Sequence, residues 1–157
     1  MKPPYILDTN SIRVLSNYYA AQFPTFWSKF DAEVGAQRIV SVREVLKELE
    51  DFKSNWIYQK AKGMKSAFLA PSGQQAAFVA NLLSQKKYQA MVARKNLLQG
   101  KPVADPFLVA AGFELGGSVV TEEKRKKNAV KIPNVCDHFN IRVVNVEQML
   151  IDFGWSF

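Results

Sequence analysis

A chain of 157 residues is long enough for one domain with a sizeable core and too short for two full ones, so residues 1–157 read as a single domain. Apolar content of 48% with 12% aromatics excludes a disordered chain, and one cysteine, Cys136, excludes a disulfide framework or a Cys-rich zinc site and suits a reducing, cytoplasmic setting. The balance of 21 Lys and Arg against 14 Asp and Glu, a formal +7, favours anionic partners, nucleic acid before membrane surface.

In chain order, Tyr5-Ile6-Leu7 is a short apolar run that ends abruptly at Asp8-Thr9-Asn10, the pattern of a buried strand feeding a helix with Asp8 or Thr9 at the turn. Three apolar residues before Asp8 are too few for a signal peptide, and no run approaches the ~18 residues of a spanning helix, so no membrane association is expected. Ile12 to Phe30 is rich in aromatics and predicts one or two helices, with Gly35 as a break. Arg38-Ile39-Val40-Ser41 predicts a second strand, and from Val42 a helix follows. Asn55 to Lys62 and Gln74 to Gln99 predict further helices, separated by Ala70-Pro71-Ser72-Gly73. Asp105-Pro106 opens a helix that Gly116-Gly117 stops after Leu115. Ser118 to Thr121 predicts a third strand, Pro133 to His138 a helical turn, Ile141 to Val144 a fourth strand and Val146 to Phe153 a last helix.

Short, unalternated apolar strands separated by helices predict an α/β fold with a central parallel sheet covered on both faces. Ligands of such sheets bind beyond the carboxyl ends of the strands, at the point where the strand order reverses. Acids gather there. Asp8 follows the first strand, Glu122 and Glu123 follow the third, Asp105 opens the helix leading into it, and Glu48 lies on the helix after the second. Converging carboxylates repel one another, and hard cations such as Mg²⁺ or Mn²⁺ relieve that repulsion through oxygen ligands.

Each acid also has a plain structural reading. Asp8 caps a helix equally well, and Asp105 before Pro106 is a strong N-cap signature. Glu122 and Glu123 run into Lys124-Arg125-Lys126-Lys127 like a solvated loop. On the helix from Val42, the stripe Val42, Val45, Leu46 and Leu49 faces the core; Glu48 falls at its edge, flanked by Val45 and Phe52, and Glu44 further round toward solvent. Glu48 is therefore the expected functional acid of the two.

Taken together, Ile6-Leu7-Asp8-Thr9-Asn10, the acid in Val45-Leu46-Lys47-Glu48-Leu49, Ala104 to Ala111 opening on Asp105, and Val119-Val120-Thr121-Glu122-Glu123 resemble the ordered motifs of PIN domains. Ile132-Pro133-Asn134-Val135-Cys136 with Ile141 to Leu150 is similar to a bacterial PIN-like subfamily of poorly assigned function. The resemblance implies a three-layer α/β/α fold and a Mg²⁺- or Mn²⁺-dependent endoribonuclease, often the VapC-like toxin of a toxin–antitoxin pair, with RNA as substrate and an antitoxin as partner. It implies Asp8, Glu48, Asp105 and Glu123 as catalytic metal ligands, with Asn10 and Thr121 in support. Many PIN domains carry Asp where Glu123 stands, which leaves Glu122 open as a substitute. Lys124, Arg125, Lys126 and Lys127, with Lys86, Lys87, Arg94 and Lys95 behind them, are the expected contacts to the RNA backbone.

Two other readings compete. A haloacid-dehalogenase-type phosphatase also uses an Asp after its first strand, but it wants a second Asp two residues on, where Asn10 stands. A PIN-like module without catalysis would bind RNA or protein, although all four acidic positions are filled. The aromatics Tyr18, Tyr19, Phe23, Phe26 and Trp27 are expected mostly in the core, with a homodimer or antitoxin surface as the alternative. His138 is given no role.

Overall fold

The structure, a computed structural model, describes residues 2–92 and 103–157. It is α/β, with a five-stranded parallel sheet between two layers of helices. The strands are β1 (Tyr5–Leu7), β2 (Ile39–Val42), β3 (Phe68–Leu69), β4 (Ser118–Val120) and β5 (Val143–Val144), in the order β3-β2-β1-β4-β5. β1 lies centrally, pairing Tyr5 with Ile39 on one side and Leu7 with Val120 on the other. The order therefore reverses between β1 and β4, which makes the gap between their carboxyl ends the topological switch point.

The helices are α1 (Thr9–Leu15), α2 (Pro24–Gly35), α3 (Arg43–Glu48), α4 (Trp56–Gly63), α5 (Gly73–Ser84), α6 (Asp105–Leu115), α7 (Ile132–His138) and α8 (Val146–Asp152). α1 packs with α3, α4 and α8, whereas α5 packs on α6 and α6 on α7. All three residues of β1 and all four of β2 are buried, as strands covered on both faces must be. Ile6, Leu7, Ile12, Leu15, Phe30, Ile39, Leu49 and Leu108 are at most 2% exposed and form the centre of the core. Gly117, entering β4, needs to lack a side chain: a Cβ there would lie 2.4 Å from the carbonyl oxygen of Pro4.

Several helix ends form as their residues dictate. Asp8 caps α1, Asn55 caps α4, Ser72 caps α5 and Asn145 caps α8, each accepting from a backbone N–H in the first turn. Gly116 closes α6 in the left-handed conformation at φ 61°.

Elsewhere the structure departs from the sequence expectations. The helix expected from Gln74 to Gln99 ends at Ser84: its hydroxyl turns back to the Asn81 carbonyl at 2.6 Å, Gln85 is extended, and Lys86–Met91 forms a 3-10 turn. The remainder of that stretch, with Arg94 and Lys95, lies outside the described residues. β3 has no counterpart among the expected strands; it is two residues long, too short to show a period. α3 gives way to a 3-10 turn at Leu49–Phe52. Glu44, expected toward solvent, is 5% exposed, because α3 is packed by α1, α4, β2 and β3; one of its oxygens meets Arg43 at 3.2 Å and the other has no hydrogen-bond partner among the described residues.

Of the early aromatics, Phe26 and Trp27 are buried and Tyr18 packs against the core, while Tyr19 is 56% and Phe23 43% exposed. Cys136 is buried, and burial pushes its thiol up to about 12, so it packs as an inert apolar group. Among the described residues, no helix is long and apolar enough to cross a membrane.

Candidate functional site

β1 ends at Leu7, so Asp8 emerges at the switch point as the residue that turns strand into helix. It is 4% exposed. Its Oδ1 accepts from the Thr9 N–H at 2.7 Å, and its Oδ2 accepts from the Thr121 hydroxyl at 2.8 Å. Thr121 stands at the end of β4, so this bond crosses the crevice between the two strands. The capping role and the placement at the site thus coexist in one side chain. Burial pushes the Asp8 carboxyl up to about 6; the bonds from Thr121 and Thr9 oppose the rise, and the charges of Glu123 and Glu48 add to it.

Asn10 braces the same crevice from the next turn of chain. Its Oδ1 accepts from the Glu122 N–H at 3.0 Å, and its amide donates to Thr121 Oγ1 at 3.3 Å. Ser11 donates to the Val120 carbonyl at 2.8 Å and Ser41 to the Leu7 carbonyl at 2.5 Å, so hydroxyls satisfy the strand-end carbonyls of β4 and β1. Sequence reasoning misses Thr9, Ser11 and Ser41; hydroxyl residues beside strand ends are the signal that could find them.

Glu48 closes α3 and reaches the site from the β2 side. Its Oε1 accepts from the Thr9 hydroxyl at 2.6 Å, and its Oε2 from the Ala104 N–H at 3.4 Å. Burial raises its pKa, against the effect of those two bonds and with some help from Asp51. The bond to Ala104 ties Glu48 to the residue just before Asp105. Glu44 joins none of these bonds.

Asp105 is not the cap its sequence suggests. Ala104 occupies the cap position in helical geometry, and no side chain bonds the first N–H groups of α6. Asp105 is itself the first helical residue, with Pro106 second, and its carboxyl makes no hydrogen bond among the described residues. Burial first, then the charges of Asp8, Glu123 and Glu48, push it up to about 8; Lys131 opposes the rise. Asp105 is the acid on which the others converge.

Glu123 accepts at Oε2 from the Ile132 N–H at 3.1 Å, joining the end of β4 to the start of α7. Glu122 accepts at Oε1 from the Val146 N–H at 2.9 Å, at the start of α8. Of these two, Glu123 is the one whose charge, like that of Glu48, acts on both Asp8 and Asp105. Glu123, rather than Glu122, therefore belongs with the other three acids.

Lys124, Arg125, Lys126 and Lys127 are all exposed. Lys124 and Arg125 line a concavity of about 230 Å³ with Thr121, Glu122, Glu123 and Asn145. Arg125 is held by Asp137 through two bonds of 2.6 and 2.9 Å, and Lys126 is clipped through its backbone to Asn134. Lys86 and Lys87 are exposed on the 3-10 turn after α5. Another concavity, about 530 Å³, lies at the amino ends of the strands, beside Tyr5, Gly117 and Arg142. It holds none of the expected acids.

Every donor in the acidic set is a carboxylate oxygen, the ligand type of Mg²⁺ and Mn²⁺. Among the described residues, no three His, Cys, Asp or Glu side chains already form an ion cage. The four acids are instead coupled through charge, and Asp105 has no hydrogen bond to hold it. That combination fits a cation chemically: mutual repulsion is relieved and the unpartnered carboxyl gains a partner.

No curated protein and no solved structure matches the chain. Residues 5–157 do match a family described as a domain of unknown function, DUF4411, and the chain belongs to that family.

Proposed function

We propose that this protein is a PIN-like ribonuclease that hydrolyses RNA phosphodiester bonds with Mg²⁺ or Mn²⁺ held by Asp8, Glu48, Asp105 and Glu123. The observation that carries the reading is Asp105: among the described residues its carboxyl makes no hydrogen bond, and it is lifted to about 8 by burial and by three other carboxylates. A cluster of acids, Asp8 buried and Glu48, Asp105 and Glu123 half-buried, on a protein of formal +7 supports a site that pairs cations with a polyanion.

When bound, the divalent ion supplies Lewis acidity and charge neutralisation at the phosphodiester. The chain supplies position. Thr121 and the Thr9 N–H fix both oxygens of Asp8. The Thr9 hydroxyl fixes Glu48, so one residue orients two acids. Asn10 holds the turn after β4 so that Thr121 and Glu123 keep their places. Exposed lysines beside β4 attract the RNA backbone.

A covalent phosphatase route finds less support. Asp8 is 4% exposed with both oxygens engaged, which blunts it as a nucleophile. The toxin role, a cognate antitoxin, a homodimer and a cytoplasmic site of action rest on the resemblance to PIN toxins and on the cysteine usage. Exposed Tyr19 and Phe23 are where such partners would be sought.

The deciding experiment is cleavage of a panel of labelled RNAs with Mn²⁺, with Mg²⁺ and with chelator, using wild type and Asp105→Asn. Metal-dependent cleavage by wild type that the variant loses supports the reading. RNA binding without cleavage favours a non-catalytic module, and a phospho-aspartate at Asp8 favours the phosphatase.

A further inference from the structure

Three basic side chains meet at the end of the sheet opposite the acids. Arg38 directly precedes β2 and Arg142 directly precedes β5, so both stand at the amino ends of their strands. Tyr5 and Ser118, the first residues of β1 and β4, lie between them in the sheet order. With Lys2 the two arginines line a cavity of about 530 Å³, inside the range of about 300–1,000 Å³ that holds small molecules. Among the described residues, no Asp or Glu lines it.

These cations are only partly used. The Arg38 guanidinium lies over the Phe153 ring, 5.0 Å from its centroid, and approaches Glu33 at 3.6 Å. Its Nε is buried without a hydrogen-bond partner among the described residues. Arg142, its side chain half exposed, directs Nη1 both to Asp152 at 2.8 Å and to Ser118 Oγ at 3.3 Å. A guanidinium carries five N–H groups, so part of each fork stays open. Lys2 is exposed and makes no ion pair among the described residues. The helices α6 and α7 end beside the cavity, at Gly116 and Phe139, where cations often serve the last carbonyls. Neither arginine is spent that way: the hydrogen bond of Arg142 goes to a serine hydroxyl, and Arg38 leaves its Nε unpaired.

The same cavity has an aromatic wall. Phe113, 56% exposed, stands edge-on to Phe139 with ring centroids 6.2 Å apart, and both line it. A large ring left open inside a cavity is a stacking surface, and every nucleobase has a face to stack on it. Arginine forks match the oxygens of a phosphate. We propose that this cavity binds a nucleotide, its phosphate among Lys2, Arg38 and Arg142 and its base against Phe113. The site lies at the other end of the strands from Asp8 and stands independently of the ribonuclease reading.

The test is an NMR titration of the protein with AMP, GMP, CMP and UMP, with the matching nucleosides and with inorganic phosphate, in metal-free buffer that holds no other phosphate or sulfate. At least one nucleotide should bind at millimolar concentration or below, and should shift the amides of Gly116, Gly117 and Asn140 without shifting those of Thr9 and Asn10. Its nucleoside and phosphate alone should each bind at least about tenfold more weakly. Lys2→Gln and Arg142→Gln should each weaken the nucleotide by about tenfold, the scale of one charge-assisted hydrogen bond, and Phe113→Ala should weaken it as well. No nucleotide bound at millimolar concentration, shifts that fall at Thr9 and Asn10, phosphate bound as tightly as any nucleotide, or unchanged affinity in Arg142→Gln and Phe113→Ala would each overturn the proposal. None of these outcomes decides whether the protein cleaves RNA, so the two readings fail separately.

Discussion

The Thr121 hydroxyl donates to Asp8 Oδ2 at 2.8 Å across the carboxyl ends of β4 and β1, where the strand order reverses. These residues are separated by 113 positions in sequence, so the bond exists only because the two strands pair in parallel, Leu7 against Val120. It gives a buried carboxylate one of its two donors and lowers the cost of ionising it.

Removing that donor while keeping the shape should therefore cost stability. Thr121→Val leaves Asp8 with the Thr9 N–H alone, and an under-satisfied buried carboxylate costs about 1–3 kcal/mol. Thr121→Ser keeps a hydroxyl and should lose less. Urea unfolding near pH 7 measures both; equal stability of Thr121→Val and wild type would show that the bond contributes nothing.

The acids also set a pH dependence. Folded-state pKa values of about 6 for Asp8 and about 8 for Asp105 lie above their ordinary value of 3.8. Between those limits the folded protein binds more protons than the unfolded chain, so stability falls as pH rises. The contribution is complete below about pH 4 and is lost through about 6 for Asp8 and about 8 for Asp105. Without divalent ions, the melting temperature should drop from about pH 5 to about pH 8.5, and Asp105→Asn should flatten the upper part of that drop. A melting temperature that rises over this range would contradict the assignment.

For the basic run, the double variant Lys126→Ala, Lys127→Ala should weaken RNA binding similarly across sequences and flatten its salt dependence by up to ~0.7 for each phosphate that the two lysines neutralise. Arg125→Ala should do something different, because Arg125 is held by Asp137 and clamps the loop to α7. Its removal should show in faster amide exchange at Lys126 and Ala129 before it shows in the salt slope.

The features legible in the sequence are those written in neighbouring residues. Tyr5-Ile6-Leu7 ending on Asp8 announces a buried strand and a helix start, and Gly116-Gly117 announces a helix end. The supporting network is not legible, since Thr9 reaches Glu48 across 39 positions and Glu123 reaches Ile132 only through the folding of its loop. A helical wheel misplaces Glu44 because it assumes one buried face, whereas α3 is packed by α1, α4, β2 and β3. Asp105 reads as a cap because an Asp before a proline usually is one; here Ala104 takes that position and leaves the carboxyl free.

The most direct test of the acidic site needs no substrate. A divalent ion that binds the folded state stabilises it by about 2.7 kcal/mol at a hundredfold excess over its dissociation constant. In a protein of this size that raises the melting temperature by roughly 5–10 °C. Mn²⁺ competes with protons for the same carboxylates, so the rise should be larger at about pH 8.5 than at about pH 6. Asp105→Asn should be at least as stable as wild type without metal and should lose most of the rise. If millimolar Mn²⁺ leaves the wild-type melting temperature unchanged at the higher pH, or raises that of Asp105→Asn equally, then Asp105 is not a metal ligand and the proposed site is wrong.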